Sequence, residues 1–248
     1  MLSRFWLDEK CSLDFGLRIE KPVGFGSSAA SVEKVSIPGR SGDIIISNNR
    51  YENYTLTYPV WFRCNKNEVA QRMRAVKAWL NASCDYRRLA DTYNEGYFRL
   101  ASFYSSTEPE VVGNTARFEI TFDCKPYLYR CDGDIWLDIP DGTSTIVNPE
   151  PFPSRPLIEL SIEAQAGERK TAYIYIGNSY LRAIFPNTSS QTEVKRFIID
   201  CEAQDAYYEG KNLNQSINSA DIQFPTGAVN ITAQNCKTLK IKPRWRTL

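Results

Sequence analysis

Apolar and polar residues alternate with a period of two along much of this chain, and the longest run of that kind predicts its leading strand. From Tyr54 to Phe62, the residues Leu56, Tyr58, Val60 and Phe62 share one face while Thr55, Thr57 and Trp61 share the other, which is the pattern of a strand with one buried side. Pro59 has no amide hydrogen to give to a ladder, so the strand is expected at a sheet edge or at a bulge. Ahead of it, Pro38-Gly39 and Gly42-Asp43 predict a sharp corner before the apolar run Ile44-Ile45-Ile46. Taken together, Ser36 to Phe62 reads as a core turn and strand that hold a domain together. A second alternation sets Ala116, Phe118, Ile120, Phe122 and Cys124 against Arg117, Glu119, Thr121 and Asp123, another half-buried strand. Strands are also predicted from Leu13 to Ile19, Val32 to Ile37, Tyr86 to Thr92 and Tyr97 to Tyr104. A Gly/Ser loop is expected over Gly24 to Ser28, a tight hairpin at Asn94-Glu95-Gly96 and a polar loop from Ser105 to Asn114.

The period changes once. Val69, Met73, Val76 and Leu80 recur at helical spacing behind Asn65 and Glu68, which stand three apart in the form of a capping box. One amphipathic helix is predicted over about 66–81, with Trp79 beside its apolar stripe as core filler. Composition then shifts between Lys125 and Asp141, and Pro149, Pro151, Pro153 and Pro156 predict an extended connection. Beyond it, seven short strands are predicted: Leu157 to Ile162, Thr171 to Ile176, Tyr180 to Phe185, Arg196 to Cys201, Gln204 to Tyr208, Val229 to Ala233 and Thr238 to Ile241. Their number and spacing suggest a sandwich. Two domains are expected, over 1–130 and 131–248.

Charge and residue usage remove several function classes. Among 248 residues, Lys+Arg is 30 and Asp+Glu is 29, so no overall field draws the chain to nucleic acid or an anionic membrane. There is no histidine, which excludes Ser/His/Asp triads, Cys/His dyads and most zinc sites. The seven cysteines are scattered without a CxxC pair and read as free thiols made in a reducing cytoplasm, with one pair bridging after release as the alternative. Neither a signal peptide nor a membrane-spanning run is expected at the start or along the chain. No cofactor or metal is predicted.

The remaining candidates are carboxylates and aromatics. Asp132, Asp134, Asp138 and Asp141 lack the spacing of an EF-hand and read as a solvated linker. Asp200 and Glu202, with Asp205 nearby, could suit a carboxylate pair for glycoside hydrolysis, although a solvent-facing edge is the plainer reading. Tyr173 and Tyr175 share one strand face opposite Ile174 and Ile176 and, with Tyr180, Tyr207 and Tyr208, could stack on sugar rings as carbohydrate-binding modules do. Packing or a subunit contact is the competing explanation for them. The closing stretch Lys240 to Arg246, basic with one Trp, could touch phosphate, but a solvated tail or an interface anchor is the plainer reading.

The chain as a whole resembles the distal tail proteins of long-tailed, non-contractile bacteriophages. In the first half the resemblance lies in LDFGLRI, IPGRSGDII followed by RYENYTLTYPV, the helix ending in AWL, YNEGYFRLASF and FEITFDCKPY. In the second it lies in NPEPFPSRPLIEL, RFIIDCEA, YYEGKNLN, FPTGAVNITA and KIKPRW. The resemblance implies a mainly β protein: an N-terminal β-sandwich or barrel-like domain with one α-helix and a C-terminal galectin-like (jelly-roll) β-sandwich. It further implies a non-enzymatic virion protein, synthesised in the host bacterial cytoplasm, whose homo-hexameric ring sits at the tail tip. There it would join the tail tube protein to a tail-tip adhesin or lysin-like protein and to receptor-binding proteins. In that setting the corner Pro38, Gly39, Arg40, Ser41, Gly42 and Asp43 becomes a candidate ring contact, with Arg40 placed to bridge to a neighbour's carboxylate. The alternative function is a carbohydrate-binding module for host cell-wall glycans.

Overall fold

A computed structural model describes residues 3–20 and 26–248 of the chain, so the Gly/Ser loop expected over Gly24 to Ser28 lies partly outside the described residues. Among the described residues the protein is mainly β, with one α-helix. It divides into two compact units, Met1–Leu128 with Leu248, and Tyr129–Thr247.

In the first unit the main sheet runs in the order Lys10–Cys11, Phe5–Leu7, Arg87–Asp91, Tyr97–Ser102, Thr115–Arg130, Tyr54–Arg63 and Arg18–Ile19. The two long alternating strands pair antiparallel, with Phe118 opposite Val60 and Ile120 opposite Tyr58, so their apolar faces coincide. Leu56, Tyr58, Val60, Phe62, Ile120 and Phe122 are all buried. Pro59 lies where the edge strand Arg18–Ile19 stops, and its carbonyl accepts the Glu20 amide at 2.8 Å. A residue's N and C=O point to the same side of a strand, so the missing Pro59 donor faces Glu20, where the ladder with Arg18–Ile19 has ended.

The helix occupies Val69–Leu80 and buries Met73, Val76, Trp79 and Leu80. Its start differs from the capping box that the spacing suggests. The Asn65 side-chain amide donates to the Glu68 carboxylate at 3.0 Å, and a 3-10 turn fills Lys66–Glu68. At the other end the Arg87 guanidinium donates to the carbonyls of Trp79 and Leu80, covering helix groups that have no partner within the helix. Trp79 is core, as expected: its ring stacks on Phe15 at 4.3 Å and on Phe5 at 5.6 Å.

Two local expectations fail, and one strand is unforeseen, for identifiable reasons. Leu13 to Ile19 is not one strand. The Asp14 carboxylate accepts the Cys11 amide at 2.8 Å, a 3-10 turn forms over Ser12–Phe15, and Gly16 closes it at φ +74°, leaving Arg18–Ile19 to pair. The start of the chain, which shows too few residues for an alternation to register, supplies the strand Phe5–Leu7, with Phe5 stacked on Tyr58 at 4.7 Å. Ile44-Ile45-Ile46 is not core. It belongs to Ile44–Tyr51, which pairs with Ala30–Val35 as a separate two-stranded sheet, and Ile45 is 65% exposed.

At the centre of the first unit Tyr58 is fully buried, and its hydroxyl donates to Asp91 at 2.7 Å. Burial first, and the Asp91 charge second, push the Tyr58 hydroxyl well above its usual value, so it stays a donor. Asp91 is in turn paired with the buried Arg99 at 3.3 Å and accepts the amides of Tyr93 and Asn94, both at 2.9 Å. Those last two bonds anchor the turn that Gly96 completes at φ +82°.

The second unit is a two-sheet sandwich, the architecture expected of its galectin-like half. One sheet has the order Leu137–Asp138, Thr238–Lys242, Leu157–Ala164, Glu193–Asp200, Asp205–Tyr208 and Lys211–Asn212. The other has Gly142–Asn148, Gly227–Gln234, Arg169–Ile176 and Ser179–Pro186. Leu160 and Ile162 from the first share a single core with Ile174, Leu181 and Ile231 from the second. All seven strands expected here form. Gly142–Asn148 is a strand that the sequence pattern did not reveal, because GTSTIVN is largely polar on both faces and stands beside the proline-rich stretch.

Two measurements check this packing. Arg99→Met leaves the Asp91 carboxylate buried without its cation, and urea denaturation should show a loss of about 3–5 kcal/mol, much of it recovered in an Arg99→Met/Asp91→Leu/Tyr58→Phe triple variant. Burial pushes the thiols of Cys124 and Cys201 up to about 12, so at roughly pH 8 iodoacetamide should label the exposed Cys84 in the native protein. Cys124 and Cys201 should react only after denaturation, as read by peptide mass spectrometry.

Candidate functional site: two exposed surfaces

The described residues hold no group of three or more Cys, Asp or Glu side chains placed to bind a metal. Three of the four linker carboxylates singled out from the sequence are instead engaged one by one. Asp132 meets Arg130 at 2.6 Å, Asp134 meets Lys242 at 3.1 Å and Asp138 meets Lys240 at 3.7 Å. Asp200 and Glu202 form a structural cluster. Arg244 binds both oxygens of Asp200, at 2.7 and 3.0 Å, and the Tyr129 hydroxyl donates to Glu202 at 2.7 Å. Burial alone would raise the Asp200 carboxyl, but hydrogen bonds and charge from Arg244, joined by the Ala203 and Glu202 amides, outweigh it and hold the group below its usual range. A carboxylate held ionised by a bidentate guanidinium does not suit the proton donor of a glycosidase.

The first exposed surface is the ribbon formed by Ala30–Val35 and Ile44–Tyr51, with the corner Pro38 to Asp43 at its tip. Pro38-Gly39 forms the predicted turn: the Arg40 amide donates to the Ile37 carbonyl at 3.1 Å and Gly39 has φ +82°, the geometry of a type II turn with Pro and Gly at its centre. All six corner residues are exposed, and among the described residues neither Arg40 nor Asp43 has an ion-pair partner. Register places Val35 opposite Ile44 and Glu33 opposite Ile46 on one face, and Lys34 opposite Ile45 on the other. Apolar side chains therefore line both faces, with Ile45 65% and Ile46 47% exposed. The sequence signal for this was a run of three isoleucines without alternation, which reads equally well as a strand buried on both faces.

The second surface is the outer face of the four-stranded sheet. Ile174 and Ile176 point into the core, so Tyr173 and Tyr175 point out. The turn at Gly177-Asn178 brings Tyr180 directly across from Tyr175. The rings of Tyr173 and Tyr175 lie 6.3 Å apart, those of Tyr175 and Tyr180 6.2 Å apart. Tyr207 belongs to the other sheet, on Asp205–Tyr208, together with Tyr208. Sequence spacing alone did not reveal the polar lane beside the row, since Thr143, Thr145, Asn230 and Thr232 come from strands far apart in the chain.

Residues 10–124 match the family model of a phage tail protein RIFT-related domain. Sequence comparison with curated proteins gives no match. Among solved structures the chain is similar to SPP1 Dit (gp 19.1), described as a paradigm of the hub adsorption apparatus in phages infecting Gram-positive hosts. That likeness has 13% identity and a TM-score of 0.68, and covers 97% of this chain and 98% of that one. It is also similar to the phage P2 baseplate in its activated conformation with Ca, at 12% identity, TM-score 0.57 and 97% coverage of both chains. The same baseplate with Sr gives 12% identity and a TM-score of 0.58 over the same shares. These are likenesses of fold, and together with the family model they return phage tail proteins, the class that the sequence resembles.

The Asp200–Arg244 pair sets an acid limit. Because the folded Asp200 value is depressed, its stabilisation is complete above the unfolded carboxyl value of about 4 and is lost as pH falls through the folded one. Thermal denaturation over roughly pH 2 to 6 should show a steeper acid loss for the unsubstituted protein than for Asp200→Asn.

Proposed function

We propose, from a first unit that carries a phage tail protein RIFT-related domain over residues 10–124, that this chain is a distal tail protein. In this reading it assembles as a homo-hexameric ring at the end of a siphophage tail tube and serves there as the hub for the adhesion apparatus. The observation that carries ring formation is the Ala30–Val35/Ile44–Tyr51 ribbon. An isolated two-stranded hairpin is marginal in water, and this one leaves Ile45 and Ile46 exposed on opposite faces. A ring closes through heterologous contacts in which one surface of a subunit meets a different surface of the next. A ribbon laid against the neighbouring subunit would bury those isoleucines and bring Arg40 and Asp43 to an interface rim, where unpaired charges contribute to register more than to affinity.

The fold likeness to SPP1 Dit and the P2 baseplate supports this hub reading. The tail tube protein and a tail-tip adhesin or lysin-like protein are the partners it implies, with the virion tail tip as the location. A structural hub requires no turnover, and the ion-paired carboxylates of the second unit accord with that.

Native mass spectrometry tests the ring. The unsubstituted chain should assemble into six-subunit particles, Arg40→Glu should remain folded but fail to close the ring, and Ile45→Lys should give monomers with an unchanged circular-dichroism spectrum. A strict monomer that is also missing from purified virions would sink the proposal; an unaltered hexamer in Arg40→Glu would reduce the corner to a turn.

A further inference from the structure

We propose that the outer face of the four-stranded sheet in the second unit is a binding platform for an uncharged polysaccharide, with Tyr173, Tyr175 and Tyr180 as its stacking row. Its residues belong to the second unit, and the ribbon that carries the ring reading belongs to the first.

Three observations point there. The row is continuous: ring centroids stand 6.3 and 6.2 Å apart, with interplanar angles of 16° and 31°, and Tyr175 and Tyr180 are 39% and 50% exposed. Exposed aromatics in a contiguous group are uncommon on a solvated surface and mark contact sites. Beside the row runs a lane of neutral hydrogen-bonding groups. Register sets Thr232 next to Tyr175 and Gln234 next to Tyr173. The lane is held in place by its neighbour strand, through Thr143 to Thr232 at 2.9 Å and Thr145 donating to Asn230 Oδ1 at 2.8 Å. The second bond uses the Asn230 oxygen and leaves its amide hydrogens for a ligand.

The third observation concerns charge. The four strands, GTSTIVN, GAVNITAQ, RKTAYIYI and SYLRAIFP, contain no Asp or Glu. The strands of the opposite sheet carry Glu159, Glu163, Glu193 and Asp205 along with several basic residues. One sandwich therefore has a surface of mixed charge on one sheet and an aromatic surface without carboxylates on the other. A pyranose chain offers flat C–H faces to aromatic rings and hydroxyls along its edges to amides and hydroxyl side chains, which is what the row and the lane supply. Two cations share the outer face, Arg182 opposite Tyr173 and Arg169 at the start of the Tyr173 strand, and both can donate to ring hydroxyls. Tyrosine also brings contact area at a small entropic cost, having only two side-chain torsions.

Affinity electrophoresis of the full chain tests this, using gels that contain a soluble β-glucan, galactan, mannan or rhamnose polymer, and a parallel gel with poly(glycerol phosphate). Retardation by at least one neutral polymer is expected. It should weaken by roughly tenfold or more in Tyr175→Ala and in Tyr180→Ala, persist in Tyr175→Trp, which keeps a stacking face, and be unaffected by Tyr207→Ala. Thermal denaturation should show the same transition in the Tyr175 and Tyr180 variants, since those exposed rings do not hold the core. The proposal is overturned if no neutral polymer retards the protein, if only poly(glycerol phosphate) does, or if retardation survives both alanine changes.

Discussion

A buried phenol that must keep its hydroxyl satisfied organises the first unit. Tyr58 sits beneath Phe5 in the aromatic core, where an unbonded hydroxyl would cost about 1–3 kcal/mol. Asp91 meets it, a carboxylate that could not itself be buried alone, and Arg99 neutralises Asp91. One chain of requirements thus ties the strands Tyr54–Arg63, Arg87–Asp91 and Tyr97–Ser102 together, and through the amides of Tyr93 and Asn94 it also positions the hairpin between the last two. Such a pair adds little net stability compared with apolar residues of the same shape, but losing one member is expensive. Its contribution is to select one arrangement of the core.

Against that internal closure, two surfaces stand out because their own chain does not complete them. The ribbon exposes isoleucines on both faces, and the four-stranded sheet exposes an aromatic row without acidic neighbours. Both belong to elements that are otherwise well formed: the ribbon has a ladder with a bulge between Ala30 and Val32, and each strand of the sheet is paired along its length with one neighbour. Well-formed elements with unsatisfied apolar surface are what an assembly protein presents before it assembles. The other conspicuous clusters, acidic and basic, are closed on themselves. Arg244 with Asp200, Arg87 with the helix end and Arg130 with Asp132 all act within their own unit.

Much of the fold was legible before any coordinates. The alternations around Tyr58 and Phe118, the helical recurrence from Val69 to Leu80 and the seven strands of the second half all appear where the pattern put them, because each buries one face and burial imposes a strict period. Segments whose structure comes from a local bond or from a distant partner were not legible. Asp14 turned an expected strand into a 3-10 turn through a single side-chain bond, and Phe5 entered the core through a strand of three residues. Gly142–Asn148 became a strand because Gly227–Gln234 offers it a ladder. Of the candidate sites, the turn at Pro38-Gly39 was readable from the conformations those two residues favour, and Tyr173 with Tyr175 from the period of a strand.

By itself, then, the sequence determined the class of the protein: β-rich, in two parts, without histidine and near neutrality, and so without the common nucleophilic and zinc chemistries or a general attraction to polyanions. Only the tertiary structure decided which apolar residues face the protein's own core and which face outward. Periodicity records that a residue has an apolar environment on one side, not whose atoms provide it. For Leu56 and Phe62 they are the chain's own; Ile45, Ile46, Tyr175 and Tyr180 keep much of their surface in solvent.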